Sequence, residues 1–197
     1  MDEAAAPQGQ MTWNDDGYYE VSFAINKSRR YHAKMRAFYQ SCHDYTTAAT
    51  AISGTSGFIA VLAQSARLAA WLTAIVAIAS TLDLVFGFDK KAAMYDGLCR
   101  RFTELASQIE RWPATPDNLT RARERRLEIE LDEPTERRLI DLIAQNEECR
   151  ARGVAPDKLV RISRLQRMFG YVFTFGLKRI EDDHNRRLKI DAAPSQS

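Results

Sequence analysis

Asp83 is the one carboxylate between residues 46 and 88. It stands inside the apolar run AIVAIASTLDLVFGFDKK, residues 74–91. An acid in such a run needs a partner. In a soluble core it must be hydrogen-bonded, because burying a lone carboxylate is expensive. In a membrane it lines a pore once hairpins assemble, fixes the register of the hairpin through a hydrogen bond, or is wetted by the interface. Thr50, with Thr46 and Thr47 one turn lower, is the polar company expected for it. The other chemistry-bearing residues are scattered. His32, His43 and His184 form no ligand set, and His43 beside Cys42 lacks a third ligand at a useful spacing. The Ser and Thr residues of SGTSG lack the strand–turn–helix context of a nucleophile motif. Neither a G-x-x-x-x-G-K-[ST] loop nor a G-x-G-x-x-G turn is present. The expectation is therefore no enzyme, no metal and no cofactor.

Composition narrows the classes further. Net charge is +2 over 197 residues, and mean hydropathy is −0.38. The basic stretch RARERR at 121–126 is followed at once by acids, so it reads as an ion-paired face, and no nucleic-acid partner is expected. Three cysteines, none in a C-x-x-C pair, read as reduced thiols. The acidic, polar start has no secretory-signal order.

The elements that must carry Asp83 read as helices throughout, giving an all-α fold. One helix is expected from about Val21 to Ala63, with a seam at Tyr31, Met35, Phe38, Cys42, Tyr45, Ala49 and Ile52. A second is expected from about Leu68 to Trp112, with a seam at Leu84, Phe88, Tyr95, Leu98, Phe102, Leu105, Ile109 and Trp112, interrupted at Lys91. Both seams step by four and three. Folding about a turn between Ala66 and Arg67 superposes them. Tyr31 then meets Phe102, Met35 meets Leu98, Phe38 meets Tyr95, and Thr50 meets Asp83. A slip of half a heptad would match as well, and the polar break QSAR at 64–67 selects the middle register. The product is a long antiparallel hairpin with arms of ~40 residues, or ~60 Å.

The upper part of this hairpin carries only Arg67 and Asp83 as charged residues between 46 and 88. The run at 68–88 is ~20 residues, enough to cross a ~30 Å hydrocarbon core. The run at 46–63 is weaker but rich in small residues, which suit helix contact in lipid. In the chosen register Gly54 and Gly57 face Ala79 and Val76. Lysines and arginines crowd the outer flanks of both runs, and the turn offers only Arg67, an anchor for the outer headgroups. By the positive-inside rule both termini are cytoplasmic. Below the membrane the hairpin would continue as a coiled-coil stalk.

Residues 1–20 read as a flexible lead-in, 21–112 as the hairpin and its stalk, and 113–155 as a helical extension. Within the extension Pro134 opens a helix that ends near Gly153. Residues 156–190 read as an amphipathic helix opened by Pro156. Its basic and aromatic part, 161–179, suits either the inner leaflet or the stalk. Residues 191–197 read as a disordered tail.

The chain resembles the SLATT family of two-transmembrane effector domains of bacterial conflict systems over about residues 20–155. The resemblance rests on the basic helix entering a small-residue run, on FGFDKKAAMYDGLCRRFTELASQIER after the second run, and on RRLEIELDEPTERRLIDLIAQNEECRARG. It implies an inner-membrane, oligomeric, pore-forming or membrane-disrupting effector in antiphage defence. Partners implied are the lipid bilayer, further copies of the chain, and a separate nucleotide-signal synthase or sensor, since no such domain is fused here. It supplies no catalytic residues. The residues leave two rivals open: a non-conducting membrane scaffold or superinfection-exclusion protein that binds through its stalk, and a soluble helical-bundle adaptor.

Overall fold

The computed structural model describes residues 13–113 and 115–171. The chain is all-helical, with no strand among the described residues. Helix α1 runs Trp13–Leu62, α2 Ala66–Phe86, α3 Phe88–Arg111, α4 Pro116–Glu130, α5 Arg138–Ala151 and α6 Arg164–Phe169, with a 3-10 turn at Pro156–Lys158. The described residues divide into two compact units, one formed by those up to residue 31 with those from 98 onward and the other by residues 32–97.

In the first unit, α1 begins at Trp13, within the stretch expected to be a flexible lead-in. Tertiary contact orders it. The Tyr18 hydroxyl donates to the Ile109 carbonyl, and Val21 and Ile25 are buried. They share a core with Tyr31, Phe102, Leu105 and Ile109. Helix α4 starts with Pro116 in its first turn, capped by the Thr115 hydroxyl, which accepts from the Asn118 amide at 3.3 Å.

Two helix starts differ from expectation. Pro134 opens no helix, because 133–137 is non-helical and α5 starts at Arg138. The Tyr31 hydroxyl, held in the core, accepts the Arg137 amide at 3.0 Å, so a tertiary bond satisfies an amide at the helix start. Pro156 opens only the 3-10 turn. Residues 159–163 are then non-helical, with Leu159 and Ser163 extended, and the Ser163–Gln166 capping box starts α6. The extended link exists because Asn146 grips it. The Asn146 amide group donates to the Val160 carbonyl at 2.7 Å, and its oxygen accepts the Val160 amide at 3.0 Å. Of the expected 156–190 helix, residues 172–190 lie outside the described residues, as does the 191–197 tail.

A buried acid ties the first unit together. Glu148 accepts from Arg30 at 2.8 Å and from Arg152 at 2.8 Å. Arg152 also donates to Ser22 and lies over the rings of Tyr19 and Phe23, at 4.4 and 5.3 Å. Burial pushes the Glu148 carboxyl upward, but the two guanidiniums outweigh it and hold the group below the usual carboxylate range. Lys27 pairs with Asp141 at 2.8 Å.

In the second unit, α2 ends at Gly87, whose φ of 55° and ψ of 53° place it in the left-handed region. The chain bends there into α3. Together α2 and α3 make an apolar bent rod, Ala66–Arg111, the one helix among the described residues that is long and apolar enough to cross a membrane by length and composition. The α1 end is closed by a left-handed residue too. Gln64 has φ 57°, the Ser65 amide reaches the Ala60 carbonyl at 2.9 Å, and the Gln64 amide reaches Val61 at 3.0 Å. This is the Schellman arrangement, with glutamine where glycine is usual.

Candidate functional site

The candidate site is the apolar part of the second unit, residues 46–88, with the polar groups at its lower end. The face that α1 turns inward here is made of small residues. Ser53 and Ala60 are buried, and a Cβ on Gly57 would meet the Leu72 Cβ at 3.7 Å. Ala79 is the buried residue of α2. The large apolar side chains point the other way. Ile52, Phe58, Ile59 and Val61 of α1 are exposed, as are Trp71, Ile78, Leu84 and Val85 of α2. Leu84 is 85% exposed and Trp71 69%, figures that belong to no soluble core.

Five threonine hydroxyls inside these helices are satisfied without water. The Thr50, Thr55, Thr73 and Thr81 hydroxyls each donate to the carbonyl four residues back, at 2.7 to 2.9 Å. The Thr46 hydroxyl donates to the His43 carbonyl at 2.9 Å. Hydroxyls folded back in this way cost little in a medium that offers no other partner.

Asp83 has a cross-helix partner, and it is not the expected one. His43 Nδ1 lies 3.2 Å from Asp83 Oδ1, with both side chains about a third exposed. Thr50, expected opposite Asp83, spends its hydroxyl on Thr46. The register differs because the turn occupies Ala63–Ser65, between the end of α1 and the start of α2. It therefore lies before the expected centre at Ala66–Arg67, and near the apolar segment α1 residues meet partners earlier in the chain than expected, as His43 meets Asp83 and Gly57 meets Leu72. Arg67 is exposed at the start of α2, and Thr47 is exposed on α1. Gly54 is exposed with nothing within 4 Å of an added Cβ, so it does not face Ala79; Val76 is half-buried.

The phase of the seam shifts as well. Tyr31, Met35, Tyr95, Leu98 and Phe102 are buried, whereas Phe38 is half-buried and Tyr45 and Ile52 are exposed. The inward ring is Tyr39, stacked on Tyr95 with centroids 5.5 Å apart and contacting Phe88 at 6.4 Å. The inward positions are then 39, 46, 53 and 60, one residue beyond the expected 38, 45 and 52. Small residues allow close backbone approach, so size selects the inner face where both faces are apolar. The alternation of Thr46, Ser53 and Ala60 at seven-residue spacing was the available signal.

Below the apolar segment lies a polar collar. Lys91 Nζ sits 5.4 Å from the Tyr39 ring and 6.0 Å from Phe86, and Phe86 stacks on Phe88 at 5.6 Å. The Arg36 guanidinium donates to Asp96 at 2.7 Å. No group of three metal-ligating side chains occurs among the described residues. Comparison with protein-family models, with curated proteins and with solved structures gives no match to this chain.

Proposed function

We propose that residues 46–88 insert in the bacterial inner membrane as an antiparallel two-helix hairpin that continues as a cytoplasmic stalk, with both termini cytoplasmic. The observation that carries this reading is the inversion of size. Small residues meet between the helices, and large apolar side chains from Ile52 to Val85 face outward. A monomer in water rarely leaves so much contiguous apolar surface uncovered. Lipid covers it without further cost. The aromatic and lysine collar at Tyr39, Phe86, Phe88 and Lys91 has the composition of a membrane interface.

The activity proposed is that of a membrane effector, in line with the resemblance to the SLATT domains. Copies of the hairpin gather, and a signal from a separate partner protein rearranges them until the membrane leaks. Asp83, with Thr46, Thr47 and Thr50, supplies the polar groups that a conducting path would use. The experiment is an alkaline carbonate wash of membranes from expressing cells, coupled to a potential-sensitive dye. The expected result is a protein retained in the washed pellet and loss of membrane potential on induction. Release as a folded soluble species overturns insertion. Retention with the potential intact overturns the effector activity and leaves a scaffold.

A further inference from the structure

In the first unit, residues 158–167 turn their apolar side chains inward and their cations outward. Asn146 holds Val160 by both its amide and its carbonyl. Leu159 and Val160 are buried, and Ile162 packs with Leu142 against Leu139 and Val160. Lys158, Arg161, Arg164 and Arg167 stay outside, with Leu165 among them at 68% exposure. None of the four cations is engaged in an ion pair among the described residues. Asp157 is the one acid in residues 156–171. The outer face of α4 is the counterpart. Asp117, Glu124, Leu127 and Leu131 lie on one side of the helix by their spacing. All four are exposed, Leu131 the most. The α4 cations nearest this face are occupied, Arg121 over the Trp112 ring at 4.9 Å and Arg125 on Glu128 at 3.2 Å. Asp117 and Glu124 are engaged in no ion pair among the described residues.

We propose that these two surfaces meet between copies of the chain, the acidic leucine face of α4 in one copy seating on the cationic patch around Leu165 in the next. The proposal rests on the effector reading above, in which copies gather, and names how they touch. The signs are opposite, and each side sets unspent charges around exposed leucine. Contact among Leu127, Leu131 and Leu165 takes their apolar surface out of water. The two surfaces stand on different sides of α1, so they do not close on one another within a chain. Glu20, Val21 and Ala24 border α4, whereas Ser22 and Arg30 reach Arg152 and Glu148 at the end of α5. At 3.6 residues per turn those two sets point apart. The α5 side carries the cationic patch through Asn146. The contact is therefore heterologous. Each copy keeps one surface of either kind open, and contacts add until a ring closes. The contact is small, and chains anchored in one membrane meet at the effective concentration that it needs. Docking of the same patch on a leaflet would use a continuous apolar face, which here is spent on α5.

The test uses the full-length protein in expressing cells, with the photoreactive residue p-benzoylphenylalanine in place of Leu165. That position is exposed, so the change leaves the core alone. Irradiation is expected to give covalent dimers, and mass spectrometry of their digest to place the link within α4 of a second copy. Arg161→Gln, Arg164→Gln and Arg167→Gln combined remove three exposed pairs and are expected to lower dimer yield about tenfold. Arg161→Lys, Arg164→Lys and Arg167→Lys combined keep it. Links to position 165 of the second copy, links to lipid alone, no dimer, or a yield unchanged by the glutamine variant overturns the proposal. The carbonate wash of the same cells separates the two readings. A soluble protein that gives the α4 link keeps the contact and loses the membrane reading, whereas an integral protein without that link loses the contact alone.

Discussion

At the residue scale, three polar side chains hold pieces of chain that are far apart in sequence. Asp83 and His43 link α2 to α1 across the helix pair. With each about a third exposed, the coupling expected from a double-mutant cycle of His43→Ala and Asp83→Ala is about 0.5–1 kcal/mol. A coupling of zero in thermal or denaturant unfolding would remove the pair from the structure's support. The same carboxylate tests the conducting path. Asp83→Leu, expressed at the wild-type level, is expected to lose toxicity, and full toxicity would exclude Asp83 from any lining. Glu148 is the stronger case, because it is buried between Arg30 and Arg152. Its folded carboxyl titrates below the unfolded value of about 4.3. Its contribution to stability is therefore complete above that value and is lost as pH falls through the lowered folded one. Glu148→Gln is expected to cost about 2–3 kcal/mol at neutral pH and to flatten the acid limb of the stability profile. Nothing local in the sequence marks Arg30 and Glu148, 118 residues apart, as a pair.

At the element scale, the two left-handed residues make opposite predictions. Gly87 ends α2 with φ 55°, so Gly87→Ala is expected to destabilise by about 1 kcal/mol although no atom blocks the added Cβ. Gln64 occupies the same region with a side chain, so Gln64→Gly is expected to stabilise by about 1 kcal/mol, less the entropy that glycine adds to the unfolded state. Unfolding midpoints in one detergent read both. Like signs for the two would mean that the bend and the turn are not held as described. The helices themselves were largely legible, because four-three spacing and the absence of alternation point to nothing else. Their ends were not. Trp13–Glu20 becomes helical through contacts with α3, and Pro134 sits in a link whose last amide is tied to Tyr31. Both outcomes were decided by partners distant in the chain.

At the scale of the whole molecule, the outward-facing apolar surface of residues 46–88 decides the solvent. Ile78 is exposed and lies near the middle of α2. If lipid surrounds it, Ile78→Lys places a charge in hydrocarbon at a cost of about 2.5–3.5 kcal/mol, and the fraction retained after carbonate washing falls. If water surrounds it, the same change improves solubility and leaves folding intact. The two readings thus differ in sign for one substitution.

The sequence by itself determined that the chain is helical, that residues 46–88 are nearly free of charge, and that Asp83 needs a partner. These follow from composition and period, which are local properties. It did not determine which residue partners Asp83, nor which side of α1 faces α2. A heptad seam matches again at every half-heptad slip of the turn, so several registers match equally well. Where both faces of a helix are apolar, hydrophobicity carries no phase. The tertiary structure decided both through the turn at Ala63–Ser65 and the small side chains of Ser53, Gly57 and Ala60. Backbones approach where side chains are smallest, and that choice sets His43 rather than Thr50 against the carboxylate.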